Sequence, residues 1–424
     1  MIGSPGREAP ATAGASPLSE ETRQRLERGR AERRVLATGL ALTGAFAAAA
    51  VLSAIIGGGI GWAALHLALV GASTVGIGTF MPHFTVTLAG TEPERAPARL
   101  AVLGTLAASG AAVSVGVPAS IGWLVVIGAA GLLAGTAGTG WMSFAPLRRG
   151  IVRRHPIVQV VYGAALFELA IGVTIALLLY LGWPPVVSRW ADLKLAHGWL
   201  NLFGFASLTV AGTLVYLFPT VVGARIRAHA SLLLLVVGCV AGPPIVALGA
   251  ALGSAMVTAI GAWLTVGGAV GQAWYVGHAL SGRGRWAFDH DWHRAVIWHL
   301  AAGTGWFVAA TATLALRLTL NGPTGWSLGA VTVPLVAGWV LQELIGSWSH
   351  LLPAVGPGDA AAHARQRDLL GRRARWRVGA LNLGVLAGWV GFALGVPVLA
   401  AGGGILLVGA SGTALVLLGR ALRA

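Results

Sequence analysis

Apolar residues along this chain fall into runs of about 20, long enough as helix to cross roughly 30 Å of hydrocarbon. Six runs lie near residues 35–56, 60–84, 98–117, 119–142, 158–182 and 195–219, and six more near 230–251, 254–278, 294–319, 327–352, 376–397 and 398–420. Short breaks containing Gly, Pro or Arg separate them. The pattern predicts an all-α integral membrane protein with about twelve transmembrane helices, residues 1–34 forming a basic tail and residues 35–424 the membrane domain. Composition agrees: 56% of the 424 residues are hydrophobic, 10% are charged and the mean hydropathy is +0.77, too little polar surface for a water-soluble domain of this size.

Charge tests the partition independently. With both termini in the cytoplasm, 26 of the 29 Lys and Arg fall in the N-terminal tail, the even-numbered loops and the C-terminus, leaving Arg189, Lys194 and Arg317 on or near the outer side. Positively charged loops resist translocation, so this asymmetry predicts a multi-pass protein of the cell (inner or plasma) membrane with both ends inside. The net charge of +15 is divided among many loops, which suits anionic lipid and argues against nucleic acid. The tail ends in "RQRLERGRAERR", reads as a solvated segment running into an amphipathic entry to the first span, and lacks a short apolar core with a small-residue cleavage site, so the first span is expected to be retained. The single Cys239 excludes an internal disulfide framework and a multi-cysteine metal site.

Three of the spans share a spacing. In "HGWLNLFGFASLTVAGTLVYLFP", residues 197–219, Gly204 is followed by Gly212 and Pro219; in "GWVLQELIGSWSHLLP", residues 338–353, Gly338 is followed at the same intervals by Gly346 and Pro353. "HLALVGASTVGIGTFMPHF" on span two is a looser copy, with Gly71, Gly78 and Pro82. The leading glycines of the copies, Gly71, Gly204 and Gly338, are almost evenly spaced and stand four spans apart each time, which predicts three pseudo-repeated four-helix arcs. Tyr216 in one copy matches His350 in the other.

Twelve spans in three arcs, with histidines on spans two, six and ten, resemble the catalytic-subunit fold of the haem–copper oxidase superfamily. "AHGWLNLFGFASLTVAGTLVYLFPT" is most similar to the histidine–asparagine–glycine helix of NnrS-type proteins and of the membrane domain fused to some copper nitrite reductases. The resemblance implies an oxidase-like fold, haem b or copper as cofactor, a role in nitrogen-oxide or copper metabolism or in electron transfer, and a redox partner or copper protein. The oxidase copper site also needs a histidine pair after span six, and "LLLLVVGCV" on span seven holds none. Oxygen reduction by that mechanism is therefore not expected.

The histidines form two layers. His66 and His197 begin spans that run from outside inward, and two imidazoles on matching helices could ligate one haem iron axially or supply part of a copper site. Asn201, one turn after His197, shares its side and could orient the ligand. Gly204, a further turn on, would let a flat group or a neighbouring helix approach the backbone closely. Interface-level histidines bonding to backbone or water are the other reading of the His66 and His197 pair. His83 lies roughly 25 Å along the helix from His66, so the two cannot share a metal. It joins His278, His299 and His350 in an inner layer, which reads either as a metal or haem site or as satisfied structural histidines near the headgroups.

Glu168 in span five and Glu343 in span ten are carboxyl groups at depth, costly unless protonated or paired, and with Tyr216 they are candidates for proton relay or quinone contact. Gln272 and Gln342 are amides that could partner them. Trp62, Trp183, Trp190 and Trp326 lie near span ends, as interfacial anchors do. The leading expectation is a haem- or copper-binding membrane protein without terminal-oxidase activity. A secondary transporter is the competing class, kept open by Gly/Pro interruptions such as "AGPPIVALG" at 241–249; a cofactor-free assembly partner is the third.

Overall fold

A computed structural model describes residues 20–149, 156–227, 229–355 and 359–423, and among these the chain is almost wholly helical, with no strand. In chain order the long helices are α1 (Glu20–Ile56), α2 (Trp62–Ala89), α3 (Ala96–Gly116), α4 (Gly122–Phe144), α5 (Pro156–Tyr180) and α6 (Trp190–Val222). They continue with α7 (Ala230–Leu252), α8 (Ala255–Ser281), α9 (Asp291–Asn321), α10 (333–355), α11 (Ala374–Ala393) and α12 (Pro397–Arg423). Among the described residues, ten of these are long and apolar enough to cross a membrane. The exceptions, α10 and α11, carry Gln342, Glu343 and His350 in one and Arg377 and Asn382 in the other, which lowers their hydropathy. Outward-facing Trp123, Phe167 and Leu233 are 67%, 67% and 71% exposed and supply apolar surface for lipid.

Positions 1–19 lie outside the described residues, but from Glu20 onward the arginine-rich stretch is helix continuous with the first span. That helix is tied down by charge: Arg28 pairs with Glu92, and Glu32 holds both Arg99 and His83. The first and last helices, α1 and α12, touch, so the chain closes on itself.

Helices α2 and α6 are the most enclosed of the ten, with 61% and 83% of their central windows buried. Both contain π-helical turns, Leu67–Ser73 and Leu200–Ala206, and α10 opens with a third, Val333–Val340. The turns start at Leu67, Leu200 and Val333, two equal steps along the chain, and revert to α-helix at Thr74, Ser207 and Leu341. A glycine lies in each, and in each case one side chain of the preceding long helix occupies the space that a Cβ would need: Phe46 over Gly71, Glu168 over Gly204, Trp306 over Gly338. A π turn widens the helix and exposes backbone, so a missing Cβ there admits a whole side chain.

Three hairpin-like pairings are extensive: α3 with α4, α7 with α8, and α11 with α12. In the first, Gly128, Gly135 and Gly138 face Val113, Leu106 and Val102; in the second, Gly261, Gly268 and Gly271 face Val246, Cys239 and Leu235. Each position of the first seam maps onto its counterpart in the second by one constant offset, the same as the step between the π turns. Backbones approach closely along these seams because glycine leaves no side chain between them, which is how helices associate where lipid removes the hydrophobic driving force. Gly212 against Tyr162 and Gly346 against Leu300 complete the close contacts expected of the shared spacing.

Candidate cofactor site

His66 is the residue immediately before the π turn of α2. Its ring stacks on Trp62 with centroids 3.7 Å apart, and its Nδ1 lies 2.8 Å from the Trp62 carbonyl oxygen. His197 stands shortly before the π turn of α6, which begins at Leu200, with Nδ1 2.9 Å from the carbonyl of Gly172 on α5. A carbonyl oxygen can only accept, so each Nδ1 carries the proton and each Nε2 presents its lone pair. The two rings lie within electrostatic reach of one another.

Asn201 packs as its position one turn after His197 implies, with Nδ2 2.9 Å from His197 Nδ1. One nitrogen cannot donate to Gly172 and accept from an amide N–H together. The consistent arrangement turns the carboxamide so that Oδ1, otherwise buried with no donor, shares the Nδ1–H with the Gly172 carbonyl. Asn201 also fills the space beside Gly172, a fit only glycine allows.

One turn further in on the same seam, the side chain of Glu168 lies over Gly204 and takes the space expected to admit a flat group or a helix. Glu168 is 2% exposed and its Oε2 has no hydrogen-bond partner, so Gln272 is not its companion. Gln272 instead reaches Thr304 at 3.5 Å, and the same hydroxyl lies 3.4 Å from Glu343 Oε1. Glu343 presses against Gly303, and its Oε2 is buried without a partner, as is Gln272 Oε1.

The inner-layer histidines go to four different neighbourhoods. His83 meets Glu32 at 3.3 Å. His278 is exposed and stacks on His229 at 4.1 Å. His350 lies parallel to Trp292 with centroids 5.9 Å apart. His299 is buried in a network across three helices: its Nδ1 is 3.1 Å from Gln342 Oε1, Gln342 donates to Asn382 Oδ1 at 3.1 Å, and Trp306 Nε1 donates to the same oxygen at 2.7 Å. His299 Nε2 is buried and unpartnered. Tyr216 bonds none of these side chains; its hydroxyl meets that of Tyr162 at 2.9 Å, which also bonds Thr213. Among the described residues, no three His, Cys, Asp or Glu side chains gather as a metal cage.

Gly172, Thr304, Trp306 and Asn382 join these neighbourhoods without having been expected from the sequence. Asn382 carried a signal, a lone carboxamide inside an apolar span; the Gly172 carbonyl carried none, because every residue has one. No protein-family model matches this sequence, and no curated protein matches it.

Proposed function

We propose that the chain is a haem-binding integral membrane protein of oxidase-like fold, in which His66 and His197 would hold the haem iron. One observation carries the reading: backbone carbonyls engage Nδ1 of both rings and leave both Nε2 atoms basic, the form in which imidazole binds a metal. A pair of imidazoles is a donor set that would suit haem iron, whereas a copper site would draw a third His, Cys or carboxylate, and no group of three gathers among the described residues. Bound haem would supply one-electron chemistry; Asn201 and Gly172 would hold the His197 ring, and Trp62 would buttress that of His66. The role is electron transfer or nitrogen-oxide chemistry with a redox partner or copper protein, in the cell membrane.

The accompanying architecture is twelve spans in three four-helix arcs with both termini cytoplasmic. It is supported by the evenly stepped π turns, by the glycine seams that repeat at the same step, and by α10 and α11, whose polar side chains turn inward onto one another. The test is the absorption spectrum and metal content of purified protein: a Soret band with about one iron per chain supports the reading, and a colourless, iron-free preparation overturns it.

A second reading, a proton-coupled secondary transporter, draws on Glu168 and Glu343, each buried with one oxygen unpartnered. Flux of substrate by the colourless protein would select it.

A further inference from the structure

Where α9 begins, a cavity of about 580 Å³ opens between its first turn and the helix Ala360–Gly371. It is lined by His290, His293, Arg367, Arg372 and Arg373, with Asp291 and Asp368 as the acidic members. Asp291 is already paired with Arg294 at 2.9 Å. Three guanidinium groups therefore outnumber the carboxylates of Asp368 and of Asp289, which lies within electrostatic reach of His293, leaving an excess of positive charge beside two imidazoles.

Several features hold this arrangement. Gly371 packs against the backbone of Trp292, where a Cβ would stand 2.9 Å from the Trp292 nitrogen. Arg377 is buried and spends its guanidinium on the carbonyls of Leu370 and Arg372, fixing the turn that carries the two lining arginines. That turn places Arg373 at φ 51°, a left-handed conformation that is strained for a non-glycine residue and persists only where its surroundings demand it. Arg367 lies over the Trp292 ring at 5.8 Å and within electrostatic reach of His293, whose Nδ1 is buried with no partner.

We infer that this cavity binds a phosphate monoester dianion. The excess of guanidinium groups suits a dianion, guanidinium groups bind phosphate oxygens in pairs, and a His293 imidazolium can donate its otherwise unpartnered Nδ1–H to a phosphate oxygen. The site does not depend on the haem reading. Its ligand is a monoester headgroup such as that of phosphatidic acid or a soluble phosphate of the same chemistry, and basic pockets at span ends are where membrane proteins hold such headgroups.

The test uses the full chain in nanodiscs of phosphatidylcholine doped with either phosphatidic acid or phosphatidylglycerol, with retained lipid counted by native mass spectrometry, and inorganic phosphate as a competitor. Wild type is expected to retain phosphatidic acid about tenfold over the monoanionic lipid. Arg367→Gln with Arg372→Gln should abolish the preference, while Arg225→Gln with Arg227→Gln, beside a different basic cavity, should keep it. Displacement by millimolar phosphate assigns the site to a soluble phosphate; resistance assigns it to lipid. Should the double variant fail to fold by size exclusion, Arg373→Asn, which suits the left-handed turn and removes one charge, takes its place. Equal retention of both lipids with no phosphate binding overturns the inference, and so does equal loss in the Arg225/Arg227 variant.

Discussion

The carboxyl group of Glu168 on α5 rests directly against the bare backbone of Gly204 on α6. One turn outward on the same seam, Asn201 rests beside Gly172 and touches His197. Glycine and long polar side chain thus alternate across two helices, each glycine making room for the polar group opposite. The acid sits next to the residues that orient the candidate ligand because of this packing.

Gly204→Ala should be destabilising by about 1–3 kcal/mol, since the new Cβ overlaps the Glu168 carboxyl in a packed interior. Adding Glu168→Ala should recover much of the loss, a coupling that a double-mutant cycle of thermal stability in detergent reads directly. Gly44→Ala, with nothing within 4 Å of the new carbon, should be neutral or slightly stabilising. Additive behaviour of the Gly204 and Glu168 changes would show that the two do not share this space.

His197→Gln and His66→Gln should each remove or alter the Soret band while the protein remains folded in the membrane. Glutamine can replace the hydrogen bonds to Gly172 and Trp62, but its amide is a poor donor to iron. If both variants keep the wild-type spectrum and metal content, the ligands lie elsewhere, and His299, with its unpartnered Nε2, becomes the next candidate.

Asn382→Leu should cost about 1 kcal/mol, because it takes the acceptor from the half-buried Trp306 Nε1 and removes one of the partners of Gln342. Asn382→Asp should be better tolerated, since an acid oxygen can still accept from Trp306. Melting temperatures that are equal for wild type and Asn382→Leu would remove the network from the account of stability.

Reporter fusions after Arg149, Arg227 and Arg373 should all report the cytoplasm, because basic loops resist translocation. An external signal from any of the three breaks the twelve-span arrangement.

Much of the helical framework was readable because the bilayer imposes it. A span must be long, apolar and internally hydrogen-bonded, so α1 to α9 and α12 announce themselves by run length alone. The glycines of spans two, six and ten were readable for a related reason, since close helix contact in lipid requires small residues at a regular interval. The contacts that hold the arginine-rich stretch from Glu20 were not, because its partners are a carboxylate, an arginine and a histidine elsewhere: Arg28 finds Glu92, and Glu32 finds Arg99 and His83.

The site divides along the same line. Residue types and helix register are enough to put His197 and Asn201 on one side of a helix, because 3.6 residues per turn fixes which neighbours share a face. Which carbonyl takes the Nδ1 proton, which carboxyl fills the space over Gly204, and that His83, His278, His299 and His350 part to four neighbourhoods were decided by the packing of one helix on another. Those contacts join residues far apart in the chain, and pattern along one helix carries no information about the face that a different helix presents to it.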